Sequence, residues 1–344
     1  PGNLHICNGT DCEYENEPVY LAIPDGRKSI YYSKNGGVKR EKVLSGSWII
    51  NIAYGNGKYV ASDNNIYVYT SEDGYNWEKH YPKINGKGSQ IQDITFYNGY
   101  FYTYTREYIG NTNYSNFYLA KSVDGVNWVE IKKIVNETSY YFPYGIGFST
   151  EEGKVYLYTF MNKYYRVWEM RANDTLIEQK MEQNFDQLSP KQIGNYIAVE
   201  DIRNKSNNRF FILYGNNKRN SYVGEYVDIA YSNNKYMKFD MSKNLYIGNS
   251  ATAMTKVNNH NMNIKINANT AIYGIDDKFV ICGETSNGYA INISPDGVNW
   301  IERGTPERFV YMACNADNTT GHIDKGECIK KGKYFDDKGN EVFP

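Results

Sequence analysis

Side chains able to act as nucleophiles, bases or metal ligands are scattered along this sequence, and one set alone recurs at fixed spacing. The histidines, His5, His80, His260 and His322, show no metal-binding arrangement such as H-E-x-x-H, so each reads as structural or solvated. The recurring set is Ser-x-Asp-Gly-x-Asn-Trp, found at Ser71 to Trp77, Ser122 to Trp128 and Ser294 to Trp300. Its chemistry is that of a turn. Asp73, Asp124 and Asp296 can fold a carboxylate back onto nearby backbone N–H groups, and Gly74, Gly125 and Gly297 supply the positive φ of a tight reversal. Trp77, Trp128 and Trp300 then open the outgoing segment as apolar anchors whose indole N–H seeks a partner when buried.

The elements that hold these turns are short strands. Ile66 to Tyr69, Phe117 to Ala120 and Tyr289 to Ile291 lead into the three copies with apolar or aromatic alternation, and a further short run leaves each. Around the first copy the pattern is a four-stranded antiparallel meander: Ile49 to Tyr54, a Gly55 to Lys58 turn, Tyr59 to Ser62, an Asp63 to Asn65 turn, Ile66 to Thr70, the motif, then Trp77 onward. A unit this small cannot bury both its faces, so repetition implies stacked copies sharing a continuous core. Taking Ser33, Ser71, Ser122, Ala172, Ser232 and Ser294 as equivalent points predicts an all-β fold, a β-propeller of six four-stranded blades. The first unit lacks a strand, and residues 308–313 follow the sixth unit without a motif, so this late segment is expected to close the first blade and hide the ring's edges. The predicted organisation is an N-terminal segment over 1–17, the propeller over 18–314 and a small hairpin-like appendage over 315–344.

Composition excludes several functions. The 344 residues carry Lys+Arg 38 against Asp+Glu 39, a net charge of −1, so no basic field draws in nucleic acid or an anionic membrane. No apolar run is long enough for a membrane span, and no signal peptide is visible. Tyr is abundant at 35 copies, which suits strands and polar turns. Cys7 and Cys12 near the start, with Cys282, Cys314 and Cys328 near the end, fit either disulfides or free thiols; a zinc site from Cys7, Cys12, Cys314 and Cys328 lacks the C-x-x-C spacing. No cofactor or metal is expected.

In four-stranded blades successive turns alternate between the two faces of the ring. The motif turns share one face, and the insertions fall on the other: Arg106 to Asn116, Gly215 to Gly224, and the interblade stretches His80 to Asp93, Val135 to Tyr144, Met181 to Gly194 and Lys243 to Thr270. Loops of variable length gathered on one side of a rigid scaffold are how binding surfaces are built. The candidate binding residues there are Arg106, Tyr108, Tyr114, Tyr141, Tyr144, Tyr164, Arg219 and Tyr222, since Tyr offers a flat apolar face and a hydroxyl at low entropic cost.

The motif resembles the Asp box, the repeat turn of sialidases and related propellers, in a variant where Gly follows Asp directly. The resemblance implies that Ser71, Asp73, Gly74, Trp77, Ser122, Asp124, Gly125, Trp128, Ser294, Asp296, Gly297 and Trp300 are structural and lie away from an active face. A sialidase site would need three arginines, a Tyr nucleophile with a Glu partner, an acid/base Asp and an R-I-P stretch. The nearest stretch, Ala22 to Arg27, lacks the preceding Arg, and no spacing ties together three of Arg27, Arg106, Arg166, Arg203 and Arg219. The Tyr/Asn-rich style with this repeat variant also resembles receptor-binding tail fibres of phages and phage-tail-like bacteriocins of low-GC Gram-positive bacteria. That resemblance implies a non-catalytic adhesion protein on an extracellular or particle surface. It would recognise a cell-surface glycan or surface-layer protein, join fibre or baseplate proteins and form a homo-oligomer such as a trimer. The alternatives are a sialidase-like or other glycoside hydrolase and an extracellular protein-interaction scaffold.

Overall fold

A computed structural model describes residues 19–314, together with the backbone of 334–335 and 341–343; within the main span it leaves out 25, 34–39, 46–47, 92, 109–113, 139–142, 184, 186–187, 202–208, 224–225, 241, 266–269, 276, 287 and 306–308. The chain is a β-propeller, all antiparallel within its blades. The blades number seven, not six. In the first, Glu41–Ser45, Ser29–Ser33 and Tyr20–Pro24 are joined at the inside by the late strand Phe309–Cys314. The second runs Ile49–Gly55, Lys58–Asp63, Val68–Ser71 and Glu78–His80, and the third Thr95–Tyr97, Tyr100–Tyr108, Tyr114–Ser122 and Asn127–Thr138. The fourth is built from Pro143–Glu151, Lys154–Met161, Tyr165–Met170 and Leu176–Glu182, and the fifth from Leu188–Ile193, Tyr196–Asp201, Arg209–Tyr214 and Lys218–Val223. The sixth comprises Tyr226–Ser232, Lys235–Asp240, Leu245–Ser250 and Ala253–Lys256, and the seventh Ala271–Ile275, Lys278–Thr285, Gly288–Ser294 and Ile301–Thr305. Outside the ring, Tyr334–Phe335 pairs with Glu341–Phe343.

The extra blade lies where the motif is absent. Gln192 to Val199 reads as one apolar strand, yet Gly194 at φ 57° reverses the chain, and Leu188–Ile193 pairs back on Tyr196–Asp201. The Ser232 to Asn234 turn is the first turn of the sixth blade, not the last turn of the fifth. Lys243 to Thr270, expected as a link, holds two strands of that sixth blade.

Each blade buries side chains on both faces, and the apolar clusters occupy the wedges between neighbours. Leu21, Ile30, Ile52 and Tyr59 fill the wedge between blades one and two; Val60, Ile94, Phe101 and Trp128 that between two and three; Tyr104, Phe148 and Trp168 that between three and four. Further clusters join four to five, five to six and six to seven, and Ile275, Cys282 and Ile293 pack on Tyr20 and Ala22 to join the seventh back to the first. Each fully buried aromatic or branched aliphatic side chain contributes about 1.5–3 kcal/mol. Cys282 is one such core residue, and burial pushes its thiol pKa up to about 12, away from thiolate chemistry. The side chain of Cys314 and all of Cys7, Cys12 and Cys328 lie outside the described residues.

The three motif turns have one geometry. In the copy at 122–128, the Ser122 hydroxyl donates to Asp124 Oδ1 at 2.8 Å and accepts from the Gly125 N–H at 2.9 Å. The N–H groups of Val126 and Asn127 both donate to Asp124 Oδ1 at 2.8 Å, the Asn127 carboxamide to Oδ2 at 2.9 Å, and the Trp128 indole to the Gly125 carbonyl at 3.0 Å. Partial burial would raise the Asp124 pKa, but the hydrogen bonds from Asn127, Val126 and Ser122 outweigh it and hold the carboxyl at about 2. Replacing Asp124 with Ala strips several donors of their acceptor and is expected to cost about 1–3 kcal/mol in a thermal melt. Glu72→Ala, at an exposed position of the first copy, is expected to leave the melt unchanged.

Candidate functional site

The second turns of the blades and the links between blades share the face opposite the motif turns. Fewer insertions decorate it than the sequence suggests. Arg106 to Asn116 is strand at both ends, because Tyr100–Tyr108 and Tyr114–Ser122 pair out to Tyr108 with Ser115, and Tyr114 pairs with Thr138 beside it. Of the stretch Gly215 to Gly224, whose last residue lies outside the described residues, Gly215 to Asn217 is a turn on the motif face and Lys218–Val223 is the outer strand of blade five. Arg219 therefore sits on that strand, its guanidinium 5.7 Å from the Phe211 ring, and Tyr222 lies farther along it. Tyr164 is a core residue at 1% exposure, seated among Tyr104, Phe148 and Trp168 with Arg166 5.4 Å from its ring, and does not present itself for binding. Tyr144, 39% exposed at the start of blade four's inner strand, does stand on the loop face. The side chains of Arg106, Tyr108, Tyr114 and Tyr222, and all of Tyr141, lie outside the described residues.

The exposed apolar groups on this face gather instead around the second blade. Trp48 is 48% exposed, Tyr81 48% and Ile66 41%. Trp48 ends the link into the blade, Ile66 lies in its second turn and Tyr81 follows its outer strand. The turn is fixed from inside. The Asp63 carboxylate accepts from the N–H groups of Asn65 at 2.9 Å and Tyr67 at 3.0 Å, and the Trp48 carbonyl accepts from the Asn64 N–H at 2.8 Å. Tyr81 meets Tyr67 edge to face at 6.5 Å, and the Lys79 ammonium lies 3.6 Å from the centre of the Tyr67 ring. Sequence reasoning missed these three; the signal for Trp48 was an aromatic side chain beside the polar Ser45-Gly46-Ser47 stretch.

At the centre of the ring, each innermost strand presents a free edge that needs covering. Neighbouring blades supply the partners. Along blade four, the Asp93 carboxylate accepts from the Ile146 N–H at 3.1 Å. Gln192 pairs with both backbone groups of Phe148 at 2.8 and 2.7 Å, and Asn195 with both of Thr150 at 2.6 and 2.9 Å. These carboxamides imitate the strand that is not there. Blade seven is treated likewise: Asp228 accepts from the Ile272 N–H at 3.0 Å and from Lys191 at 2.8 Å, while Lys191 reaches on from blade five to the Ile272 carbonyl.

Within this ring Asp93 is the group best placed for proton transfer. Burial raises its pKa to about 6, against the lowering effect of the Ile146 N–H, the Asn51 carboxamide and the Ile94 N–H. Its oxygens are already engaged, one with Asn51 and one with Ile146, which is the arrangement of a strut. Because the folded pKa is raised, the stability it gives is present below the ordinary carboxylate range and is lost as pH rises through about 6. Asp93→Asn is accordingly expected to raise the melting temperature at pH 7 by a few degrees and to give no gain at pH 4. Burial and the nearby Asp228 also raise the pKa of Glu200. Arg27, Arg166 and Arg219 do not converge: Arg27 donates to the Ile50 carbonyl at 3.0 Å between blades one and two, Arg166 pairs with Glu178 at 3.3 Å in blade four, and Arg219 lies on blade five. Among the described residues no group of three His, Cys, Asp or Glu side chains could hold a metal ion.

No protein-family model matches the sequence, and no curated protein matches it either. Among solved structures it is similar to a functionally unknown protein from Desulfotomaculum acetoxidans DSM 771, with a TM-score of 0.54 and 12% identity over 89% of this chain and 99% of that one. It also matches YCF48 from Cyanidioschyzon merolae, with a TM-score of 0.48 and 12% identity over 82% of this chain and 97% of that one. YCF48 bound to D1 peptide matches with a TM-score of 0.47 and 11% identity over 78% of this chain and 92% of that one. At such identities the likeness reaches the fold alone.

Proposed function

We propose that the chain is a non-catalytic recognition module that grips a cell-surface glycan or a surface protein through the loop-bearing face of the ring. The observation that carries this reading is the exposure of Trp48, Ile66 and Tyr81 at the loop-face end of blade two, with Tyr144 on the same face. Large rigid rings held half-exposed suit stacking on a sugar face or insertion into a protein pocket. The polar groups at the centre of that face are committed to holding the blades together, which leaves the aromatic rim as the available surface. A glycoside-hydrolase reading needs two carboxyls about 5–9.5 Å apart across a pocket, and Asp93 is occupied by Asn51 and Ile146. With a near-neutral charge and a Tyr-rich sequence, the module fits the tip of a phage or tailocin fibre, displayed in several copies on the particle.

Binding to intact low-GC Gram-positive cells and to their purified surface glycans tests the reading. Trp48→Ala and Tyr81→Ala are expected to weaken binding at least tenfold each without changing the melting temperature. Binding that is indifferent to both substitutions, or turnover of sialosides or other glycosides, would overturn it.

A further inference from the structure

The motif turn is built three times, and at two of them the chain covers the outer edge itself. In blade three, the link after His80 runs along the outer strand, where Lys83–Ile84 pairs in parallel with Asn127 and Trp128. The Lys83 N–H donates to the Val126 carbonyl at 3.1 Å, the Asn85 N–H to the Trp128 carbonyl at 3.0 Å, and the Asn85 carboxamide accepts from the Glu130 N–H at 3.2 Å. In blade seven Asn261 takes this place. Its N–H donates to the Val298 carbonyl at 3.2 Å, its carboxamide oxygen accepts from the Trp300 N–H at 2.6 Å, and its carboxamide nitrogen donates to the Trp300 carbonyl at 3.2 Å. Trp128 and Trp300 are left 2% and 5% exposed.

Among the described residues, blade two carries the same turn without the cover. Among the described residues no strand pairs with the outer edge of Glu78–His80, and the link from Ser45 to Ile49 is too short to run down and back. Trp77 stays half-buried beside a cleft of about 390 Å³ lined by Lys58, Thr70, Glu72, Asp73 and Glu78. Three carboxylates against one ammonium make this cleft acidic. The chain's own cover strand is basic, with Lys83 and Lys87 flanking Ile84 and Asn85.

We infer that the outer edge of blade two is a docking site for an extended, basic segment of a partner protein, which adds as a fifth strand. Its N–H groups would meet the carbonyls of Tyr75 and Trp77, and an asparagine carboxamide would meet the Trp77 peptide group, as Asn261 meets that of Trp300. The site lies at the motif face, away from the aromatic rim, and stands independently of the loop-face reading. Two opposed attachment surfaces would let the ring be carried on one side and bind on the other.

The probe is a synthetic peptide with this chain's own sequence from Tyr81 to Ser89, added to the full chain and followed by Trp fluorescence and amide chemical shifts. Saturable binding is expected, with Trp77→Phe removing the fluorescence change. The double variant Glu72→Lys/Glu78→Lys is expected to bind at least tenfold more weakly with an unchanged melt, and a peptide with Lys83→Glu and Lys87→Glu to fail. Absence of saturable binding, or equal binding by the double variant, would overturn the inference. Sedimentation showing a dimer that the double variant dissolves would also overturn it, by assigning the edge to another copy of this chain.

Discussion

A chain ending at Thr305 is expected to lose its cooperative thermal transition and to expose apolar surface, while a chain ending at Cys314 melts like the full protein. The shorter chain lacks Phe309–Cys314, which pairs with Tyr20–Pro24 from Tyr20 opposite Cys314 to Pro24 opposite Phe309. Without it the first blade has three strands, and Tyr20–Pro24 loses the partner strand that closes the ring. An open array also presents an unpaired edge at its centre, which invites association with other chains. Removing a whole strand from a domain whose net stability is about 5–15 kcal/mol leaves little to hold the ring. Circular dichroism melts of the two truncations check this, and a Thr305-ended chain with an unchanged transition would show that the ring closes some other way.

Gly274→Val is expected to be the most damaging single substitution. Gly274 lies in the inner strand of blade seven, and a Cβ there would sit 1.8 Å from the Tyr231 carbonyl oxygen in the inner strand of blade six. The obstacle is backbone, so the added atoms can be accommodated only by parting two blades, which puts the cost at or above about 3 kcal/mol. Gly26→Ala is the matched control, because a Cβ at Gly26 meets nothing within 4 Å. Urea unfolding of both variants should give a large drop in midpoint for the first and none for the control.

Where the motif is intact, turn chemistry and strand alternation agree, so blades two, three and seven can be drawn from the sequence. Blades five and six lack it. In blade six the third turn is Ser250-Ala251-Thr252, with Thr252 where the other turns place Asp; its N–H donates to the Ser250 hydroxyl at 3.3 Å, but no carboxylate gathers the following amides. The remaining marks of an additional blade are Gly194-Asn195 and Gly215 to Asn217. Gly194-Asn195 lies inside an apolar run that reads as one strand, and Gly215 to Asn217 has the composition of a polar insertion. The candidate site was less legible, for a different reason. A tyrosine has the same identity whether it lines a wedge or a rim, so Tyr164 in the core and Tyr81 at the surface could not be separated by composition. The edge-covering roles of Asp93, Gln192, Asn195 and Asp228 depend on neighbours about 35 to 55 positions away, a distance at which no local pattern operates.

The seven wedges join every blade to two neighbours, and the seventh to the first. A row of such units would come apart from its ends, but a circle has none. A protease cut in any single link would leave both new termini anchored by the sheets on either side, so the molecule would keep its shape after being nicked. Durability of this kind is inherent in a cyclic arrangement and requires neither a disulfide nor a bound ion.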